Sequence, residues 1–513
     1  MSKNQNRKAV KRFFRSRYPV ILALLIQIVV LAYIIISGSR ISQAFSYFLS
    51  AVSVLSVLVI LSGRGEGSYK LTWIFWILSF PLLGGFFYLV LQAQWSKKSF
   101  SARAKKAEES IKPLLPYPEE CVLKKQALDD AHIPALRYLG DSVGYPSYCA
   151  RSRFLSSGEE MLNALLLALE RAEKYIFLEY FIIEEGEMWD AILSILKRKA
   201  REGVLIRVLY DDVGCFTHLP KRYFKTLREY GIEAVAFHPF VSLFSIEQNN
   251  RDHRKIAVVD GTLAITGGIN LADEYINRIE RFGHWNDAAV MVEGGAAWSF
   301  TLMFLQMWEL ASKRKEDLSK YRPTNTAAES SFGIVTPYAD SPMDNENVGE
   351  NVYLSLVRSA RKYVYITTPY LIISETMQNA LTLAAKSGVD VKIITPAKWD
   401  KRVVHVVTRS YYQDLIAAGV RIYEYTPGFI HAKTLVSDDC VATVGSVNFD
   451  YRSLYLHFEC GAVLSHSPTV LAVKENFEGI LSQSEKMTAS FHSDKNLFFR
   501  IWQALLRLLA PLL

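Results

Sequence analysis

Two segments of this chain carry the same set of reactive side chains at the same spacing. His253-Arg-Lys255 is followed by four residues, then Asp260, then six residues, then Gly267-Gly-Ile-Asn270. His431-Ala-Lys433 is followed in the same way by Asp438 and Gly445-Ser-Val-Asn448, so His to Asn spans 17 positions in both. On a strand, residues i and i+2 project from one face, so each strand end offers an imidazole and a fixed cation to one point in space. Asp260-Gly261 is a hairpin signal, and the returning strand brings Asn270 back to the same mouth. Lys charge and an Asn amide suit the non-bridging oxygens of a phosphodiester. Imidazole, with an ordinary pKa of about 6.5, can attack phosphorus or carry a proton. Asp260 and Asp438 lie on the far side of the strand, which leaves them between a catalytic role and a turn or ion-pair role.

These groups need strands and helices to hold them, and the sequence supplies an alternating α/β pattern. Tyr175–Ile183 is a strand candidate, Met188–Glu202 has helical periodicity, and Val204–Tyr210 is a continuous apolar run suited to a buried parallel strand. Ala172–Leu178 resembles Ala360–Ile366, Gly203–Leu209 resembles Gly388–Ile394, and Tyr230–Phe237 resembles Ala418–Tyr425, at offsets of 188, 185 and 188. Two copies of one unit therefore lie in tandem, over 151–312 and 351–490. A connector over 96–150 precedes them, a polar Pro-containing linker over 313–350 separates them, and an apolar helix over 491–513 follows. That last helix is expected either in a membrane interface or docked on the body.

Half of the 513 residues are hydrophobic and only 21% are charged, unlike a disordered chain. The net charge of +8 is unevenly placed: the first 106 residues carry +14 and the remaining 407 carry −6. A nucleic-acid footprint on the globular part is thereby disfavoured, and anionic lipid headgroups are the expected partner of the basic region. Three apolar segments, 19–37, 44–62 and 71–92, each reach across a bilayer core of about 30 Å, so 1–95 is expected to be the membrane region of a multi-pass cell-membrane protein. Basic flanks before the first segment and after the third both call for the cytoplasm, and three crossings cannot satisfy both. Five scattered cysteines without CxxC spacing read as ordinary thiols and favour a cytoplasmic globular part.

The paired motifs resemble those of the phospholipase D superfamily, over about residues 150–465. The resemblance implies two tandem phospholipase D-like α/β domains related by a pseudo-twofold axis, preceded by transmembrane helices and sharing one active site. Asn249–Lys255, Gly267–Tyr275, Arg409–Tyr412, Gly428–Lys433, Asn448–Ser453 and Pro81–Tyr88 further resemble segments of the bacterial cardiolipin synthases. Two departures from the usual pattern stand out: Gly268 in place of Ser, common among those synthases, and an extra N-terminal apolar segment.

The implied catalytic residues are His253, Lys255, Asp260, His431, Lys433 and Asp438. His253 is implied as nucleophile and His431 as general acid and base, with the reverse open. Asn270 and Asn448 bind substrate, and Asp287 and Glu459, downstream of each motif, orient the imidazoles. The implied reaction transfers a phosphatidyl group from one phosphatidylglycerol to another, releasing glycerol. No cofactor is expected. No HExxH, CxxC pair or acidic triad marks a metal site, in keeping with the family's metal-free chemistry. The alternatives are a hydrolytic phospholipase D or another phosphatidyltransferase such as a phosphatidylserine synthase. A nuclease and a catalytically dead scaffold fit less well, since the globular part is acidic and all four His and Lys remain.

Overall fold

The computed structural model describes residues 40–63, 67–80, 84–85, 88, 95–116, 133–238, 249–323, 333–344, 346–488 and 497–512. The chain forms two compact units, one of Ser101–Pro239 with Asn250–Arg507, the other of Met1–Phe100, Phe240–Asn249 and Leu508–Leu513.

The larger unit holds both sequence copies as two lobes. The first contributes β2 (Ser152–Leu155), β3 (Tyr175–Tyr180), β4 (Leu205–Asp211), β5 (Glu233–Phe237), β6 (Lys255–Val259), β7 (Leu263–Gly267), β8 (His284–Asn286) and β9 (Ala289–Glu293), after a short β1 (Tyr148–Cys149). The second contributes β10 (Ile334–Asp340), β11 (Tyr363–Thr367), β12 (Asp390–Pro396), β13 (Arg421–Tyr425), β14 (Gly428–Ile430), β15 (Thr434–Ser437), β16 (Val441–Gly445), β17 (Glu459–Ser465) and β18 (Ser484–Lys486). The first sheet runs β2-β9-β7-β6-β3-β4-β5, and the second repeats that order as β10-β17-β16-β15-β11-β12-β13 with β1 and β18 added at its edges. In each, three parallel strands (β3, β4, β5 and β11, β12, β13) continue into an antiparallel set through β6 or β15. The tandem α/β expectation and the repeat offsets thus correspond to one topology built twice.

Local sequence explains the pieces. β3, Tyr-Ile-Phe-Leu-Glu-Tyr, is buried along its whole length, as a central strand covered on both faces must be. The helix Glu187–Arg201 buries Met188, Trp189, Ile192, Leu193 and Leu196 on one stripe. It carries Glu187 and Asp190 in its first turn and Arg198, Lys199 and Arg201 in its last, complementing its dipole. The helix Gly295–Ser312 is apolar all round and buried almost throughout, because it packs against β3, β6, β7 and β9 of one sheet and β10 of the other.

Part of the expected linker is core. Ile334–Asp340 is fully buried as β10 and pairs with β17 over its whole length, from Ile334↔Ser465 to Asp340↔Glu459. Pro337 is tolerated because β1 covers the other edge of β10 only at Ile334 and Val335, so no ladder bond needs the missing N–H. Cys149 is disulfide-bonded, against the expectation of ordinary thiols, whereas Cys215, Cys440 and Cys460 form no disulfide.

In the smaller unit, helices Arg40–Ser62 and Gly67–Ser79 meet through Ile60, Ile77 and Tyr88, with Val57, Trp73 and Ile74 around them. The first apolar segment, 19–37, lies outside the described residues. Within the third, the helix Gly67–Ser79 ends at a bend at Phe80, ahead of Pro81, and 81–83, 86–87 and 89–92 lie outside the described residues. Among the described residues no helix is long and apolar enough to cross a membrane.

The strand ends remote from the histidines are held by the two motif aspartates. Asp260 and Asp438 take left-handed backbone angles, φ 53° and 55°. The Asp260 carboxylate accepts from the N–H groups of Glu173, Lys174 and Tyr175 at 2.7–2.8 Å. The Asp438 carboxylate accepts from Arg361, Lys362 and Tyr363 at 2.7–2.9 Å. Each locks the start of its lobe's central strand, about 17 Å of strand from the Lys end. Asp438→Ala is expected to cost about 2–4 kcal/mol of stability through three lost charge-assisted bonds, read as a lowered Tm, with kcat per folded molecule little changed. An unchanged Tm with a collapsed kcat would place this aspartate in the chemistry instead.

Candidate active site

His253 stands immediately ahead of β6 with Lys255, and His431 just ahead of β15 with Lys433. The segment before each histidine pairs with the other lobe. Asp252 bridges Phe458 in parallel, with His253 N–H donating to the Phe458 carbonyl at 2.9 Å and Phe458 N–H to Arg251 at 2.9 Å. In the symmetric place β14 pairs in parallel with β8, and His431 N–H donates to the Asn286 carbonyl at 2.6 Å. These pairings deliver the carboxylates crosswise. His253 Nδ1 lies 2.9 and 3.1 Å from the two Glu459 oxygens, and His431 Nδ1 lies 2.6 Å from Asp287 Oδ2. Each carboxylate is downstream of its own motif in sequence yet holds the histidine of the other. An accepting carboxylate fixes the proton on Nδ1 and leaves the Nε2 lone pair for chemistry.

The two halves differ where their glycine-rich turns meet these carboxylates. Ser446 Oγ donates to Glu459 Oε2, bracing the longer side chain. At Gly268, the matching position, a Cβ would stand 2.1 Å from Asp287 Oδ1, so only glycine lets the shorter Asp287 reach His431. The departure at Gly268 is therefore a packing condition for the His431 pair.

Burial dominates the electrostatics, and neighbouring charge separates the two carboxylates. Burial pushes Glu459 up to about 7 despite Lys255. Asp287 is held below its usual range because Lys433 and His431 outweigh its burial. Burial and Lys255 take His253 well below an ordinary imidazole, and burial with Lys433 takes His431 to about 4, with Asp287 opposing. Burial likewise lowers Lys255 to about 8 and Lys433 to about 7. The centre is buried, and it sets two lysines beside the two imidazoles and their carboxylates.

The structure brings His253, Lys255, His431, Lys433, Asp287 and Glu459 together, and leaves Asp260 and Asp438 at the far strand ends. Lys255 Nζ donates to the His253 carbonyl at 2.5 Å, and Lys433 Nζ to that of His431. Asn270 is already engaged: its Oδ1 accepts from Ile182 N–H at 3.1 Å and its Nδ2 donates to Tyr275 at 2.7 Å. Asn448 Oδ1 is buried and, among the described residues, has no partner.

Sequence reasoning missed His457, whose ring lies 5.4 Å from that of His253; both its nitrogens are buried without a hydrogen bond among the described residues, and Nδ1 stands 3.8 Å from Glu459 Oε1. It also missed the aromatic walls, Phe181 against His253 and Tyr275 and Trp285 against His431. The only available signal was adjacency, His457 in Leu-His-Phe-Glu459 and Trp285 in His-Trp-Asn-Asp287. His253, His457 and Glu459 offer ligand atoms within 4.8 Å of one another. Lys255, Lys433, Lys401, Arg452 and Arg251 all bear on these imidazoles, a field that favours an anion over a divalent cation.

Gly268→Ala is expected to leave the fold intact and lower kcat by about 10²-fold or more by turning His431 out of register. Kinetics on a variant shown to be folded by its melt check this, and a kcat within twofold of the parent would contradict it.

The family model described as cardiolipin synthase, PLD-like domain, matches twice, at residues 165–293 and 353–481. An uncharacterized protein of Streptococcus mutans is 43% identical over 89% of this chain and 99% of its own length. A cardiolipin synthase of Alkalihalophilus pseudofirmus is 34% identical over 91% of this chain and 94% of its own. Among solved structures, phosphatidylserine synthase of Haemophilus influenzae superposes with a TM-score of 0.56 at 16% identity, covering 75% of this chain and 98% of that one, a likeness of fold. With two matched domains, near-full-length relatives and both histidine motifs in one centre, this chain belongs to the cardiolipin synthase family of phospholipase D-like proteins.

Proposed function

We propose that this protein is a phosphatidyltransferase that joins two phosphatidylglycerols into cardiolipin and releases glycerol, by double displacement on His253. The observation that carries the reading is the pair of crossed His–carboxylate contacts around one centre, which supplies a nucleophile and a proton carrier to a single phosphodiester. His253 Nε2 attacks phosphorus, the bond to the glycerol oxygen breaks, and His431 gives its Nε2 proton to that oxygen. The second phosphatidylglycerol then donates its hydroxyl proton to His431 Nε2 and attacks phosphorus. The P–N bond breaks, and both imidazoles return to their starting state.

The assignment of roles follows from the carboxylates. Asp287, held ionised, stabilises an imidazolium on His431, whereas Glu459, pushed up to about 7, gives less support to positive charge on His253 and favours a neutral nucleophile. The bound phosphodiester anion raises His431 from its depressed value, so protonation and substrate binding reinforce each other. Lys255 and Lys433 face the non-bridging oxygens. Asn448 Oδ1, buried without a hydrogen bond among the described residues, would accept from a headgroup hydroxyl. One phosphodiester replaces another, so exclusion of water decides the product, and the catalytic side chains are only 9–10% exposed. Substrates of this kind reside in a bilayer. The apolar segments 19–37, 44–62 and 71–92 and the basic N-terminal region support a multi-pass membrane protein.

The test combines product analysis with leaving-group chemistry. Detergent-solubilised protein with phosphatidylglycerol and chelator is expected to yield cardiolipin and glycerol by mass spectrometry. His253→Ala should lower the rate by about 10³-fold or more and His431→Ala by about 10²–10⁴-fold. A 4-nitrophenyl phosphatidyl ester, whose leaving group needs no proton, should still give a nitrophenol burst with the His431 variant and none with the His253 variant. Phosphatidic acid as sole product would make the protein a hydrolase, and a burst confined to the His253 variant would exchange the roles.

A further inference from the structure

The C-terminal helix Leu497–Leu508 is amphipathic in a way the catalytic centre does not use. One face is docked: Gln503 and Leu506 are buried, and Gln503 Nε2 donates to the Val406 carbonyl at 3.1 Å. Arg507 pairs with Asp414 at 2.9 Å and stacks on Tyr411 at 4.2 Å. The other face is bare, with Phe498 83%, Ile501 51%, Trp502 55% and Leu505 43% exposed at i, i+3, i+4 and i+7. The docked option is realised on one side, and the other side is left exposed.

The docking contacts run in the same sense, 503 to 406 and then 507 to 411 and 414, so the bare stripe's N-terminal half lies toward the start of the helix Arg402–Ser410. There Val403 and Trp399 are also exposed, 43% and 51%, among the exposed cations Lys398, Lys401 and Arg402. This basic edge adjoins the catalytic centre. Lys401 lies over the Tyr370 ring at 5.6 Å, Tyr370 binds Asp400 at 2.5 Å, and the Lys401 charge is among those that depress His253.

We propose that the stripe Phe498–Ile501–Trp502–Leu505, continued by Val403 and Trp399 within the Lys398–Lys401–Arg402 cluster, is a surface that seats in an anionic lipid leaflet and sets the lip from which lipid substrate reaches the two histidines. Two features select a leaflet over a protein partner. Large aromatics alternate with aliphatics along a helix already fixed to the body, and at the rim the exposed Lys398, Lys401 and Arg402 outnumber Asp400, which is tied to Tyr370, where the reaction's substrate is anionic. The inference rests on the phosphatidyl-transfer reading for its purpose, and on the exposed stripe alone for its existence.

The full chain is reconstituted in vesicles of equimolar phosphatidylglycerol and phosphatidylcholine, with a fluorescent amino acid placed at Ile501. Bromine-labelled lipid is expected to quench it, and not a control probe at exposed Leu167. I501D/W502D, both on the bare face, should lower the initial rate on vesicle phosphatidylglycerol by about tenfold while turnover of short-chain phosphatidylglycerol in micelles stays unchanged. Absence of quenching, or equal loss on both substrates, overturns the docking surface, as does a self-association abolished by the substitutions without lipid quenching. A parent protein inert toward both substrates while Ile501 is quenched would refute the transferase reading and leave the surface standing.

Discussion

The structure depends on an exchange: each catalytic histidine is held by a carboxylate of the other lobe. Glu459 from β17 reaches His253, and Asp287, between β8 and β9, reaches His431. Neither lobe alone contains a catalytic histidine together with the carboxylate that holds it, so one lobe without the other has a reactive group with nothing to fix its tautomer. The parallel pairing of β14 with β8, the Asp252–Phe458 bridge and the buried Arg254 secure this exchange. Arg254 reaches the carbonyls of Glu459, Met303 and Asp340. The two sheets pack directly through β16 and β17 against β7 and β9, and the buried helix Gly295–Ser312 also touches both.

Symmetry of fold is joined to asymmetry of chemistry by small substitutions. Ser446 braces Glu459 where Gly268 admits Asp287, and the two carboxylates' affinities for a proton move in opposite directions from their ordinary values. A double displacement needs two imidazoles in different protonation states, and a duplicated unit would by itself supply two alike. The difference of one methylene and one hydroxymethyl group between the halves breaks the tie.

Much of this was legible in the sequence because it is local and repeated. The His, Lys and Asn spacings recur on both copies, the offsets of 188, 185 and 188 reveal the tandem lobes, and the resemblance to cardiolipin synthases agrees with the family match. The crossing was not legible, because downstream order says nothing about which lobe a side chain enters. Asp260 and Asp438 share the motif with the histidines but act on backbone at the opposite strand end, a distinction that spacing cannot express. Pro337 disguised β10 as linker, since a proline is acceptable on a strand whose neighbour ends early. His457 escaped notice because a single imidazole without periodicity carries no signal until its neighbours are placed.

The crossed pairing is tested most directly by the hydrogen-bonded Nδ1 protons of ¹⁵N-histidine-labelled protein, observed by NMR. Two far-downfield resonances are expected, one for each imidazole–carboxylate pair. Glu459→Gln should remove or shift only the resonance of His253, and Asp287→Asn only that of His431, each resonance being assigned by its absence in the corresponding His→Ala variant. Loss of the His431 signal in Glu459→Gln, or of the His253 signal in Asp287→Asn, would show that each lobe orients its own histidine and would contradict the account.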